Sequence, residues 1–429
     1  MIKLINLIAA IFIVNVAIAQ TPAPAVKQSK PILILNGTAH IGDGNVIKNS
    51  AIGFADGKID FVGNANDASL DKSKYEVIDI SGKHVYPGFI LPNSDLGLTE
   101  VNAVNATIDR AETGSINPNV RALIAYNTDS ELIPTLRFNG ILTAQVTPTS
   151  GAISGTSSIV QLDAWNWEDA AVKVDGGIHM NWPMKMYGPR WWRGETEGRP
   201  NENYGKTIAE LKKLFNDASA YSKSKSTSMN LKLESMRGLF DGSKQLFVHE
   251  NKAVDIITSI EFAKEVGVQK IVLVGGTDAL YIKDYLKENN ISIILSNVHR
   301  LPSRAEEDVD MPYKLPYLLS QAGIKYCLGY NGVANSRNLA FYAGTSAAFG
   351  LDKEAALKSI TLGAAEILGV SDMLGSLTTG KNATLFISEG DALDMRTNKM
   401  MSVYIGGRKV TLDAMQQRLY KKYQDKYGQ

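Results

Sequence analysis

The side chains of this sequence that could do chemistry are few: five histidines, some carboxylates near apolar runs, and one glycine-rich loop. Imidazole serves both as a general base near neutral pH and as a metal ligand. His249 closes the apolar run Leu246-Phe247-Val248 and is followed by Glu250, which should point to the opposite face if both lie in one strand. His299 sits in Asn297-Val298-His299-Arg300-Leu301-Pro302, either as a site residue or bonded to a loop carbonyl. His179, in Gly177-Ile178-His179-Met180-Asn181-Trp182, has the setting of a packed strand-end residue. Asp95 ends Pro92-Asn93-Ser94-Asp95. Asp109 and Glu112 stand at a spacing that would place them on one side of a helix, though they form no recognisable dyad. The loop Ser150-Gly151-Ala152-Ile153-Ser154-Gly155 would either offer backbone N–H groups to a substrate carboxylate or simply allow a tight turn. The acidic run Glu306-Glu307-Asp308 with Asp310 reads as a solvated loop.

These residues need elements to position them. Residues 31–80 read as short strands punctuated by Asn36-Gly37, Asp43-Gly44 and Asp56-Gly57, a small all-β module. From about residue 245 the pattern becomes strand then helix, repeatedly. Leu246-Phe247-Val248 is followed by a stripe of Ala253, Ile256, Ile257, Ile260 and Ala263 at helical spacing. Further strands are expected at Ile271-Val272-Leu273-Val274, at residues 291–295 and at 325–328. Helices are expected near 279–287, 315–322 and 338–349. Asp352 is placed to cap a last helix that stops at Gly369. Such alternation predicts parallel strands with right-handed crossovers. Strands return in residues 376–411, and residues 412–427 read as a polar amphipathic helix. A β module split between the two chain ends thus brackets a βα body, whose length suits an eight-stranded barrel with insertions. Residues 183–244 form an irregular insertion with two polar helices. Its Trp191 and Trp192 either line a substrate cleft or pack a hairpin down.

Composition narrows the class. The 429 residues are 44% hydrophobic and carry a net charge of +1, which is globular and removes the electrostatic case for nucleic acid. A single cysteine, Cys327, excludes an internal disulfide framework and an iron–sulfur cluster. The start Met1-Ile2-Lys3, an apolar run over residues 4–19 and the small-x-small ending Ala17-Ile18-Ala19 read as a signal peptide cut before Gln20. The run is short for a membrane span. A secreted or periplasmic chain is therefore expected, with no membrane span after cleavage.

Motifs at both ends of the body carry a family resemblance. Asp56-Gly57-Lys58-Ile59, Val62-Gly63, Ile78-Asp79 with Gly82-Lys83, and Val85 with Pro87-Gly88-Phe89-Ile90 lead into it. Leu357, Thr361, Ala364-Ala365, Leu368-Gly369, Gly375-Ser376-Leu377 and Gly380-Lys381-Asn382-Ala383 lead out. The chain resembles the amidohydrolase superfamily of the imidazolonepropionase-like type, and a secreted bacterial subgroup in its Asp109–Arg121 and Ser150–Gly155 runs. The resemblance implies an α/β fold: a (β/α)8 TIM-type barrel over residues 87–370 with the insertion 183–244, and a β-sandwich from residues 31–86 and 371–411. A signal peptide (1–19), a flexible spacer (20–30) and a C-terminal helix (412–429) complete the plan.

The resemblance also implies hydrolysis of C–N bonds at the C-terminal ends of the barrel strands, with one or two divalent metals held by a His-x-His pair, two further histidines and an aspartate. Asn93 and Asp95 occupy the pair positions, and His249 matches the fifth-strand histidine. No histidine stands near Val274-Gly275-Gly276, and no aspartate near Leu328-Gly329-Tyr330-Asn331. Only His179, His249 and His299 can reach a barrel mouth, so four barrel histidines cannot be assembled. Three readings stay open: a rearranged site with one zinc or manganese on Asp95 and His249, with His299 or Glu250 as a further ligand; metal-free acid–base catalysis by His249 or His299 with Asp95 or Glu250; and a catalytically silent fold. Asn93, Asn331, Trp191 and Trp192 are the candidate substrate contacts. Expected partners are a small-molecule substrate or ligand, and either a second copy or a metal-complete relative.

Overall fold

The computed structural model describes residues 23–224, 228–302, 304–330 and 332–428, with the side chains of residues 191 and 333 left out. The candidate signal peptide and Asn331 lie outside the described residues. Among the described residues, no helix is long and apolar enough to cross a membrane.

Strands β1 (Ile32–His40), β2 (Val46–Ala55), β3 (Lys58–Asn64), β4 (Glu76–Asp79) and β5 (His84–Pro87) open the chain. The turn joining β2 to β3 is Asp56-Gly57, both at positive φ (48° and 77°), the geometry that a two-residue hairpin requires. Asn36-Gly37 is not a turn: it sits inside β1 at a register shift against β2. Gly88 then leads directly into β6 (Phe89–Ser94), followed by β7 (Ile141–Val146), β8 (Ile153–Gln161) and β9 (Ala171–Asn181). A short hairpin of β10 (Met186–Tyr187) and β11 (Arg199–Pro200) marks the insertion. Its helices are Tyr204–Lys223, Leu231–Met236 and Gly238–Asp241. The body resumes with β12 (Gln245–Glu250), β13 (Ile271–Gly275), β14 (Ser292–Ser296) and β15 (Tyr326–Gly329). Strands β16 (Leu385–Ser388), β17 (Met400–Ile405) and β18 (Arg408–Val410) follow.

The two chain ends share one eight-stranded sheet, ordered β18-β17-β16-β5-β1-β2-β3 with β4 beside β1. The junction is antiparallel pairing of β16 with β5, from Leu385 opposite Pro87 to Ser388 opposite His84. Alternate residues of β1 feed two clusters: Ile34 packs with Phe54, Leu385 and Tyr404, whereas Leu33 and Leu35 pack with Ala51 and Ala65. Residues 23–30, expected to be a flexible spacer, are instead fastened. The Ala25 N–H donates to Asp163 at 3.1 Å, and the Gln28 amide bonds both Phe54 and Gly57.

The second sheet is ordered β6-β7-β8-β9-β12-β13-β14-β15. It is a nearly closed barrel, with Gly329 of β15 lying against Pro92 of β6. Pairing is parallel throughout except at β8, which runs antiparallel to both β7 and β9. The expectation of eight parallel strands is corrected there. Residues 147–152 and 162–170 are too short to carry a crossover, which needs about a dozen residues, so the chain must turn back on itself.

Helix Leu362–Leu368 closes the N-terminal end of the barrel and ends at Gly369 (φ 69°) as expected. Its last carbonyls are satisfied by Lys173, which donates to Leu368 at 3.0 Å, and by Gln245, which donates to Ile367 at 2.8 Å. Asp352 caps the preceding helix through the Ala355 N–H at 2.9 Å. The C-terminal helix spans Met415–Tyr427. Asp109 and Glu112 do not share a helix: the Asp109 N–H donates to Leu98 and ties that loop down as a β-bridge neighbour of Thr99 and Ile108.

Candidate functional site at the barrel mouth

Strand parity decides what fills the barrel. Ile90, Ile159, Phe247, Val272, Val274, Ile294 and Cys327 form one buried cluster inside it, against Ala364, Ala365 and Leu368 of the closing helix. Two residues further along the same faces the lining turns polar: Phe247 gives way to His249 and Ile294 to Ser296. On β8 the inward residue two before Ile159 is Ser157. The interior is therefore an apolar floor under a polar layer at the C-terminal strand ends, where barrels of this kind carry their sites.

That layer is a continuous hydrogen-bonded chain. The Asn93 N–H donates to Gln145 Oε1 at 3.0 Å, and Gln145 Nε2 donates to Ser157 Oγ at 3.0 Å. Ser157 Oγ meets His179 Nε2 at 2.8 Å, and His179 Nδ1 meets His249 Nε2 at 2.9 Å. Five strands, β6 to β9 and β12, are linked in this way, β6 through a backbone N–H and the others through side chains. His179 is fully buried and stacked on Phe247 with ring centroids 4.6 Å apart. Burial holds its pKa well below the usual histidine range, and the neighbouring His249 adds to this. Burial also lowers His249, to about 4. Both rings are neutral at pH 7, so each offers one donor and one acceptor.

Two proton arrangements satisfy the chain. In one, Ser157 donates to His179, His179 donates to His249, and the His249 Nδ1 carries a hydrogen. In the other, Ser157 donates to the Gly177 carbonyl (3.5 Å), each histidine donates the other way, and the Nδ1 lone pair of His249 is open. Among the described residues Nδ1 makes no hydrogen bond, and His249 is only half-buried. The outer nitrogen can thus accept a proton in one arrangement and donate one in the other.

Across the mouth, β6 ends in a distorted stretch. Asn93 is 3% exposed with φ 52°, the left-handed region that asparagine tolerates better than most residues. Its side-chain amide makes no hydrogen bond among the described residues. Asp95 is 4% exposed; one oxygen accepts from Arg110 Nη1 at 3.2 Å and the other is buried without a partner among the described residues. Ser296 Oγ is likewise buried and unpartnered among the described residues. Buried polar groups without partners are costly, and these two stand at the strand ends where a ligand could satisfy them.

The other sequence candidates fall elsewhere. His299 follows β14, but its Nε2 bonds Thr345 Oγ1 at 2.7 Å and its ring packs on Tyr342 and Tyr313. It lines a separate open cavity of about 500 Å³ with Arg300, Leu301 and Phe349. Glu250 faces the loop after β12, accepting from the Asn251 and Lys252 N–H groups at 2.7 and 3.1 Å. Burial pushes its carboxyl up. Trp191 and Trp192 lie in a short 3-10 turn, and Trp192 is 65% exposed. The acidic run is not wholly solvated, since Glu307 is buried in an ion pair with Arg300. Gln145, Ser157 and the partnership of His179 with His249 were not singled out from sequence. Counting parity back from His249 and forward through the Ser-rich β8 would have pointed to them.

Residues 192–410 match the amidohydrolase family profile, half of the chain. The chain belongs to the amidohydrolase family. Among solved structures it is similar to an amidohydrolase from Thermotoga maritima, at 25% identity and a TM-score of 0.78 over 89% of this chain and 99% of that one. It shares its fold with a prolidase solved with N-methylphosphonate-L-proline (16% identity, TM-score 0.55, 89% and 100% covered). The same holds for Aspergillus niger ochratoxinase (13% identity, TM-score 0.53, 89% and 96% covered). No curated protein matches the chain.

Members of the family usually bind a divalent metal. The residues here do not fit one as placed. Among the described residues no group of three or more His, Cys, Asp or Glu side chains is arranged to hold an ion. Of the two sequence candidates, Asp95 already faces a guanidinium cation, and the inner nitrogen of His249 is committed to His179.

Proposed function

We propose that this chain is an exported hydrolase of C–N bonds in small amide or peptide-like substrates, working at the barrel mouth through His249. Family membership supports the reaction class. The observation that carries the residue assignment is the 2.9 Å His179–His249 contact, with the outer nitrogen of His249 making no hydrogen bond among the described residues. With its Nδ1 lone pair open, His249 takes a proton from the water whose oxygen attacks the amide carbon. The proton then passes to the departing nitrogen as the C–N bond breaks, leaving a carboxylic acid and an amine. Asn93 and Ser296 supply hydrogen bonds to the substrate. His179 is a positioning residue, holding the His249 ring and its tautomer.

The motif departures at Asn93, Asp95 and the sixth and eighth strands support placing this chain among imidazolonepropionase-like members with a degenerate metal centre. The amino-terminal run over residues 1–19 supports export to the periplasm or beyond. A second reading is favoured by Arg110 on Asp95: a catalytically inactive member that binds a ligand, self-associates or pairs with a metal-complete relative. The deciding experiment assays the mature chain against dipeptides, N-acyl amino acids and cyclic amides, with bound metal measured by mass spectrometry. Turnover by the chain alone without stoichiometric metal is the expected result. Absence of turnover with every substrate, with or without added Zn²⁺ or Mn²⁺, selects the second reading.

A further inference from the structure

The helix Met415–Tyr427 is amphipathic, but it turns its polar side to the body. Its half-buried residues are Gln417 and Gln424, two turns apart on one face, and none of its side chains is fully buried. Polar contacts hold it: the Thr135 hydroxyl donates to Gln416 Oε1 at 2.9 Å, and Arg418 pairs with Glu131 at 2.6 Å and Asp413 at 3.5 Å. Met415, Leu419, Tyr423 and Tyr427, each four residues from the last, form a stripe on the solvent side, widened by Tyr420. All five are 42–70% exposed. A surface helix of a folded domain ordinarily turns such a stripe inward, and a helix of this length is marginal in water without tertiary packing. The helix also carries Arg418, Lys421, Lys422 and Lys426 against one acid, Asp425. Arg418 is spent on the body, and Lys421 lies 3.4 Å from Asp425. Lys422 and Lys426, one turn apart along an edge of the stripe, make no ion pair among the described residues. Each ammonium lies near a tyrosine ring, that of Tyr423 or of Tyr427. Tyrosine rings beside lysines suit a membrane interface, where the rings sit at headgroup level and lysine stems reach anionic groups.

The start of this helix lies where the amino-terminal segment meets the body. Asp413 and Arg418 line a cavity of about 270 Å³ together with Ala23 and Pro24. The apolar run over residues 4–19 ends four residues before Ala23, a reach of at most about 14 Å. The run and the tyrosine stripe therefore start from one region of the surface. A second copy of this chain is the poorer occupant, because two such helices laid together set their lysines against each other. We propose that the helix Met415–Tyr427 is a membrane-docking surface. It seats the chain on an anionic bilayer through Tyr420, Tyr423 and Tyr427, with Lys422 and Lys426 meeting the lipid headgroups. Docking uses no residue of the barrel mouth, and vesicle binding is read without turnover or export, so its failure leaves the hydrolase and export readings standing.

The test is cosedimentation of the chain from Gln20 onward, which lacks the apolar run, with lipid vesicles. One set holds phosphatidylglycerol in phosphatidylethanolamine, the other phosphatidylcholine alone. Binding to the anionic set is expected to be at least about tenfold tighter and to weaken with added salt, the effect of two lysines at a charged surface. Lys422→Gln combined with Lys426→Gln is expected to erase that preference. Tyr423→Gln combined with Tyr427→Gln is expected to weaken binding to the anionic set at least about tenfold. Both replacements keep helix propensity on an exposed face. No sedimentation with anionic vesicles, equal binding to the two sets, or an unchanged preference in the lysine variant overturns the proposal. So does a dimer that forms without lipid and is lost in the tyrosine variant, which assigns the stripe to a second copy.

Discussion

Two histidine pairs are built into this chain in different surroundings. In the terminal sheet, His40 of β1 and His84 of β5 meet at 3.0 Å, stacked beside Tyr86. There His40 Nδ1 also bonds Glu354 Oε1 at 2.7 Å, and the Lys353–Asp391 ion pair acts on His84. Inside the barrel, His179 and His249 meet at 2.9 Å, and His179 further bonds a serine hydroxyl and stacks on a phenylalanine ring. The first pair joins the sheet to helix Lys353–Ser359, and both nitrogens of His40 are spent on that junction. Each pair leaves one ring nitrogen without a hydrogen bond among the described residues, His84 Nε2 and His249 Nδ1; the second pair differs in lying at the end of the barrel where other polar groups also lack partners. A histidine pair tied to a carboxylate holds parts together; a pair with no carboxylate bonded to it, at the open end of the barrel, is placed to exchange protons with a ligand.

Replacing one ring from each pair breaks the comparison most sharply. His249→Gln is expected to lower kcat/KM by about 10²–10⁴-fold, the usual worth of a general base. His84→Gln is expected to leave turnover at the parent level. Both are checked by steady-state kinetics on whichever amide the parent hydrolyses. Equal losses in the two variants would mean that the barrel pair has no special role.

The outline of this fold was legible because its strands and helices obey simple periods. The run Leu246-Phe247-Val248-His249 announced both a strand and the residue at its open end. The Asp352 cap and the Gly369 stop could be read from side-chain type alone, since capping is local chemistry. The reversal of β8 was not legible, because connection lengths become known only once strand ends are. The pairing of His179 with His249 was missed for a related reason: the residues are far apart in sequence, and only the register of β9 against β12, with Phe247 opposite His179, brings them together. Asp95 was visible as a strand-end carboxylate. Its commitment to Arg110 depends on a loop with no repeating pattern, and so does the placement of His299 against Thr345.

Acid tests both pairs at once. Burial lowers the folded-state pKa of His179, His249 and His84, the last with a contribution from His40. A base whose pKa is depressed on folding binds its proton more readily in the unfolded chain. Stability is therefore fully present above about pH 6.5, the unfolded value, and is lost as pH falls toward the folded one. For His249 that window closes near pH 4. Thermal melts followed by circular dichroism should show a falling midpoint from pH 6.5 to 4.5. The slope should be shallower in His249→Gln, where one of the depressed groups is gone. A slope identical to the parent's would indicate that His249 titrates as in water, and would remove the evidence that the barrel pair is kept neutral.

The smallest effect concerns the carboxylate that distinguishes the terminal pair. Glu354 is mostly buried; its Oε1 accepts from His40, and its Oε2 is buried without a partner among the described residues. Glu354→Gln preserves size and one acceptor while removing the charge, so the hydrogen bond to His40 is weakened, not deleted. A loss of about 1 kcal/mol is expected from urea unfolding at pH 7, in the range of a charge-assisted hydrogen bond made neutral. Activity should not change, since nothing in the barrel layer touches this junction. A loss beyond about 3 kcal/mol would be the signature of a buried charge pair broken outright. It would mean that the sheet's attachment to the barrel depends on this one carboxylate. A change in kcat instead would show that the two pairs are not independent but coupled through the fold.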